Sequence, residues 1–157
     1  MANKLYHEYR FKFYLNASHA IFINGRLGQA HPHTWEYVLN ILLPRNEFVE
    51  FNVFEKTIEQ FFAKYQNQTM NKVEPFDTLV PTLENMAEYF GDQLYRLIAE
   101  KNGQLTQIEC SETPTRSYII AYEKDKKQES EYAATLDASE QDAISQVLDR
   151  VLDQMIP

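Results

Sequence analysis

Histidine is scarce in this chain, yet two of its four histidines, His31 and His33, flank a single proline in the stretch AHPHTWE, residues 30–36. On a β-strand, residues i and i+2 face the same way, with Cα atoms about 6.5–7 Å apart at a rise of ~3.3 Å per residue. The two imidazoles can therefore be aimed at one point. His19 closes the preceding predicted strand and can supply a third ring. Three neutral imidazoles at roughly 2.0–2.1 Å suit zinc and leave a fourth position for water or substrate, which separates a catalytic site from a closed structural one. An HxH pair alone is a weak signal, because isolated histidines more often pack in a core or lie on a surface. His7 is early in the chain and has no partner in sequence, so it is read as structural or surface.

The elements that must carry these rings follow from hydrophobic periodicity. Residues 5–17 alternate: Tyr9, Phe11, Phe13, Leu15, Ala17 and His19 share one parity, and Arg10, Lys12, Tyr14 and Asn16 the other. This predicts a half-buried strand. Residues 20–30 contain Asn24-Gly25 and Leu27-Gly28, which is turn chemistry. Residues 33–43 return as a second strand on which Trp35, Tyr37, Leu39 and Ile41 keep the parity of His31 and His33, and PRNE (44–47) marks the next turn. The period then changes. Phe51, Phe54, Ile58, Phe61, Phe62 and Tyr65 form the stripe of a helix over 51–65, and Leu83, Met86, Ala87, Phe90, Leu94, Leu97 and Ile98 form a second, with Thr82 as its N-cap and Asn102-Gly103 as its stop. QLTQIECSE and RSYIIAYE predict a strand pair across TPT. A charged linker, KDKKQES, precedes a last amphipathic helix over 139–155, which is expected to pack on its own subunit. Strands around a helix pair point to an α+β fold with an antiparallel sheet.

Bulk properties narrow the function classes. A chain of 157 residues with 44% apolar and 13% aromatic residues is one globular domain. Its net charge of −8 disfavours a general nucleic-acid surface. No apolar run reaches the length of a membrane span, and the N-terminus lacks the apolar core of a signal peptide, so a cytoplasmic protein is the default expectation. One cysteine, Cys110, excludes an internal disulfide framework and a multi-cysteine zinc site.

Six landmarks in order, ASHA (17–20), HPH (31–33), EF (50–51), YQNQTMN (65–71), PTLENMA (81–87) and ETPT (112–115), make the chain similar to the family of 6-pyruvoyltetrahydropterin synthase and 6-carboxytetrahydropterin synthase. The resemblance covers about residues 9–122. It implies the tunnelling fold, a four-stranded antiparallel sheet with two helices on one face that assembles into trimers or hexamers. It also implies zinc on His19, His31 and His33. The tunnelling-fold domain is expected over 1–124, with 125–157 as the charged linker and extra helix. Glu112 matches the glutamate that anchors the pterin ring, and a carboxylate suits that paired N–H edge. Thr82, Glu84 and Asn85 are read as structural.

The same resemblance exposes what is missing. The family moves protons with a cysteine four residues before the first histidine of the pair, and with an aspartate and a histidine after the first helix. Those positions hold Leu27, Gln66 and Asn67. Leucine carries no exchangeable proton, and the two amides are not ordinary acids or bases near neutral pH. Proton transfer by a positioned group contributes roughly 10²–10⁴-fold. Cys110 lies on a different strand and reads as a core thiol. Pro32 replaces the family's glycine, fixing φ and removing a donor. The sequence thus supports a zinc-binding relative that has given up the parental synthase reaction and takes a pterin- or purine-like ligand. The alternative is an active lyase of tetrahydropterin or queuosine-precursor synthesis, acting on dihydroneopterin triphosphate through zinc-bound hydroxide. A purely structural oligomer is disfavoured by the persistence of all three histidines.

Overall fold

The computed structural model describes residues 8–43, 51–123 and 150. His7, the PRNE turn, Glu50, the charged linker and the helix expected over 139–155 lie outside the described residues, apart from position 150. The described chain runs β1 (Glu8–His19), β2 (Phe22–Ile23), β3 (Arg26–Leu27), β4 (His31–Leu42), α1 (Phe51–Ala63), α2 (Leu83–Glu100), β5 (Gln104–Thr113) and β6 (Arg116–Ala121). The four long strands form one antiparallel sheet in the order β1-β4-β5-β6. The expected α+β architecture is therefore present.

Alternation in β1 and β4 sorts side chains between two faces. Phe11, Phe13, Leu15, Ala17 and His19 of β1 are buried, as are Trp35, Tyr37, Leu39 and Ile41 of β4. This is the face that the helices cover. From α1 come Phe54, Ile58 and Phe62, and from α2 Leu83, Met86, Ala87, Phe90, Leu94 and Ile98. Aromatic rings meet at the centre: Phe62 and Phe90 lie 5.5 Å apart, Tyr37 and Phe62 5.0 Å, Tyr65 and Phe90 4.9 Å. Such contacts add to the burial of large apolar areas. The opposite face is polar, with Tyr14 donating to Glu36 at 3.1 Å and Arg10 to Asn40 at 3.0 Å.

Local chemistry sets the joints. Asn24 and Gly25 both take positive φ, 52° and 77°, forming the two-residue turn between β2 and β3. Thr82 caps α2 by accepting from the Asn85 N–H at 3.1 Å. At the other end Asn102 adopts φ 63°, while the Asn102 and Gly103 N–H groups return to the carbonyls of Ala99 and Ile98. That is the paired closure of a Schellman motif, with asparagine taking the left-handed position.

Candidate metal centre

The β1–β4 register places His19 directly opposite His31, with His33 opposite Ala17. All three odd-numbered rings fall on the helix-covered face at one end of the sheet. Ring centroids are 4.6 Å apart for His19–His31, 5.0 Å for His19–His33 and 4.8 Å for His31–His33. One ligating nitrogen from each lies within 4.8 Å of the others.

The nitrogens facing inward are set by what the opposite nitrogens do. His19 Nδ1 lies 2.7 Å from the Pro81 carbonyl, and His31 Nδ1 lies 3.1 Å from the Gln29 carbonyl. A carbonyl only accepts, so both Nδ1 atoms carry the proton. With both rings neutral, the two Nε2 atoms present lone pairs to each other across 3.0 Å. Two lone pairs at that distance repel unless a cation or proton sits between them. Tetrahedral zinc with nitrogens at about 2.0–2.1 Å holds its ligands about 3.3 Å apart, close to this spacing. The donor set therefore fits a divalent metal. Burial is the main influence on His19, depressing its pKa below the ordinary 6.5 against the opposing pulls of the Pro81 carbonyl and Glu112. The neutral imidazole, which is the ligating form, is the one favoured.

The PTLENMA stretch explains why that carbonyl is there. Asn85 uses its N–H on Thr82 Oγ1 and its amide on the Val80 carbonyl at 2.9 Å, fixing the turn that presents Pro81 to His19. Asn71 clamps the residue after His19, accepting from the Ala20 N–H at 2.8 Å and donating to the Ala20 carbonyl at 2.9 Å. Hydrogen-bonded partners of this kind fix ligand orientation. Sequence reasoning assigned no such role to Pro81 or Asn71. A backbone carbonyl has no side-chain signature, and the asparagine acts across about fifty positions.

Glu112 lies with the histidines. Its Oε1 is 3.7 Å from His19 Nε2 and accepts a hydrogen bond from Trp35 Nε1 at 3.1 Å. The three positions that the family resemblance marks for proton transfer, Leu27, Gln66 and Asn67, hold no ionisable side chain. Leu27 sits in the short hairpin, more than half exposed. Gln66 is used on the free edge of β1, where its amide accepts from the Asn16 N–H and donates to the Tyr14 carbonyl. Asn67, at φ 60°, lines a cavity of about 500 Å³ together with His33, Asn16, Ser18 and Thr34. Cys110 is fully buried, and burial pushes its thiol up to about 12. It stays protonated as a core thiol, the reading the sequence favoured.

A four-stranded antiparallel sheet, two helices on one face and a three-histidine cluster at the strand ends define the tunnelling-fold class. The comparisons agree. The family model described as 6-pyruvoyl tetrahydropterin synthase matches residues 8–123. Among solved structures, the chain is similar to the 6-pyruvoyl tetrahydropterin synthase of Caenorhabditis elegans, with 17% identity and a TM-score of 0.63, covering 78% of this chain and 100% of that one. It is also similar to the Plasmodium falciparum enzyme of the same name, with 15% identity, a TM-score of 0.57, and 76% and 99% coverage. An uncharacterized protein from Wolinella succinogenes follows at 13% identity and a TM-score of 0.59, with 76% and 100% coverage. No curated protein matches. The chain belongs to the 6-pyruvoyl tetrahydropterin synthase family.

Proposed function

We propose that this family member is a zinc-binding protein in which His19, His31 and His33 hold the metal, Glu112 faces a pterin- or purine-like ligand, and the parental proton relay is gone. The observation that carries the reading is the pair of inward Nε2 atoms 3.0 Å apart, each on a ring whose other nitrogen is committed to a carbonyl. Bound there, zinc supplies Lewis-acid polarisation of a ligand oxygen. The chain's own residues supply orientation. Pro81 and Gln29 fix the two rings, and Glu112 offers a carboxylate to a ligand N–H.

Loss of the synthase reaction is supported by the fate of the relay positions. Leu27 cannot exchange a proton, Gln66 has both amide groups engaged by backbone, and Cys110 is sealed in the core. Assembly into a homo-oligomer, a trimer or hexamer, is part of the proposal. Phe22, Ile23 and Leu27 stand more than half exposed on one hairpin, an apolar surface that association would cover. The family match ends at residue 123, which supports a domain boundary near 124. Among the described residues no helix is long and apolar enough to cross a membrane.

Two measurements test the function. Metal analysis of the purified protein is expected to find zinc, and His31→Ala or His33→Ala to abolish it. Incubation with dihydroneopterin triphosphate is expected to give no product above a metal-free control, while a reduced pterin binds the parent and not Glu112→Ala. Steady turnover by the zinc-loaded parent refutes the loss of activity. A parent without zinc refutes the metal site.

A further inference from the structure

The indole of Trp35 touches more of this site than its place in a strand requires. Trp35 is fully buried, with its ring 5.0 Å from that of His19 at 82° and 5.2 Å from that of His33. Its Nε1–H donates to Glu112 Oε1 at 3.1 Å, and the same oxygen lies 3.7 Å from the metal-facing Nε2 of His19. The backbone brings the two residues together. Glu36 pairs with Ser111 across β4 and β5, and Trp35 and Glu112 each lie one residue beyond that pair. Glu112 is also the extra residue of a bulge, since Ser111 pairs with Ser117 and Thr113 with Arg116. Bulges often stand beside functional sites and re-aim a side chain.

A glutamate side chain at a strand end has several rotamers, and a carboxylate free to turn to water contributes little to a nearby cation. Here one oxygen is held by a donor that cannot move, because the indole is packed on all sides. We propose that Trp35 is a positioning residue of the metal site: its N–H holds the Glu112 carboxylate beside His19, so that three neutral imidazoles bind the cation under one fixed negative charge. The hydrogen bond also divides the carboxylate's labour. Oε1 faces the histidines and the indole, and Oε2 is left for a ligand donor. This inference rests on the proposed metal site and adds to it the residue that sets the site's charge.

The test uses the full chain and zinc alone. Affinity is measured by competition with a chromogenic chelator for the parent, Glu112→Gln, Trp35→Phe and the double variant. Each single change is expected to weaken zinc binding about 10–100-fold, the usual effect of losing an orienting partner. The double variant is expected to be no weaker than the worse single one, because Trp35 acts through Glu112. A second readout needs no change at Trp35. The chain has a single tryptophan, which gives one indole N–H signal in a ¹⁵N–¹H spectrum. That signal is expected to move upfield in Glu112→Gln and to shift when zinc is added to the parent. Losses that multiply in the double variant, unchanged affinity in Trp35→Phe, or an indole signal indifferent to Glu112→Gln overturn the inference while leaving the histidine site standing. A parent that binds no zinc sinks both.

Discussion

Zinc should act as a cross-link between β1 and β4, and the size of that effect can be worked out. His19 ends β1 and His31 begins β4, so a shared cation ties together the ends of two paired strands. A ligand that binds only the folded state stabilises it by about 2.7 kcal/mol at a hundredfold excess over its dissociation constant. For a chain of this length each kcal/mol moves the melting temperature by roughly 2–4 °C, so the expected rise is about 5–11 °C. Removing one imidazole, if it weakens binding a hundredfold at the same zinc concentration, leaves about 0.4 kcal/mol, or roughly 1 °C. The assay is thermal melting of chelator-stripped protein, with and without zinc, for the parent, His31→Ala and His33→Ala. Magnesium serves as the control, because it is held by oxygen ligands. The zinc response should also fade on acidification, since protons compete for the same nitrogens. The stripped protein should itself lose stability as pH falls below 6.5, because the unfolded His19 imidazole takes a proton that burial makes the folded one resist. A stripped parent that melts at one temperature with or without zinc refutes the reasoning, as does a His31→Ala protein that keeps the full shift.

Gly91 lies in α2 where a Cβ would overlap the Tyr122 hydroxyl, itself buried without a hydrogen-bond partner among the described residues. Gly91→Ala alone should destabilise by about 1–2 kcal/mol in urea unfolding, and in a Tyr122→Phe background most of that loss should disappear, with only the Ile108 Cγ2 contact at 3.3 Å left to relax. Cys110 should resist a thiol reagent at pH 8 until the protein unfolds. Because its thiol is pushed up to about 12 in the fold from an ordinary 9, the unfolded state loses its proton first, and stability should fall as pH climbs from 9 towards 12, a slope that Cys110→Ala should flatten. Gln66→Glu keeps the acceptor for the Asn16 N–H but loses the donor to the Tyr14 carbonyl, and should destabilise by about 1 kcal/mol in the same unfolding assay.

Which parts of this molecule were legible in its sequence depends on the range over which each feature is encoded. The alternation that put His19, His31 and His33 on one face is written in residues two apart, and the sheet reproduces it with only the strand limits moved, to 8–19 and 31–42. The helix stripes and the Asn102-Gly103 stop are equally local. The hairpin read as turn chemistry proved to hold two-residue strands on either side of Asn24-Gly25, too short for any period to show. Less legible was everything that orients the rings. The Pro81 carbonyl reaches His19 across 62 positions and Trp35 reaches Glu112 across 77. Only the fold creates these pairs. A tryptophan at a core parity looks like core until a carboxylate is found at its N–H.

Gln66 shows how a substitution that reads as a loss in sequence can be a gain in structure. The side chain accepts from the Asn16 N–H at 2.9 Å and donates to the Tyr14 carbonyl at 2.8 Å, so it behaves as a short length of neighbouring strand. The backbone continues the pattern: the Asn67 N–H donates to the Asn16 carbonyl, and the Ser18 N–H to the Gln68 carbonyl. Residues 66–68 therefore cover the free edge of β1 up to the residue before His19. An ionised aspartate at this position only accepts, and it would leave the Tyr14 carbonyl without that donor. An amide can do both, and having both groups engaged it has neither a proton to give nor a lone pair aimed at the histidines. At this one position, then, edge covering stands where an ionisable side chain would serve proton transfer. It steadies the strand that ends in His19, which is in keeping with the proposed cation site.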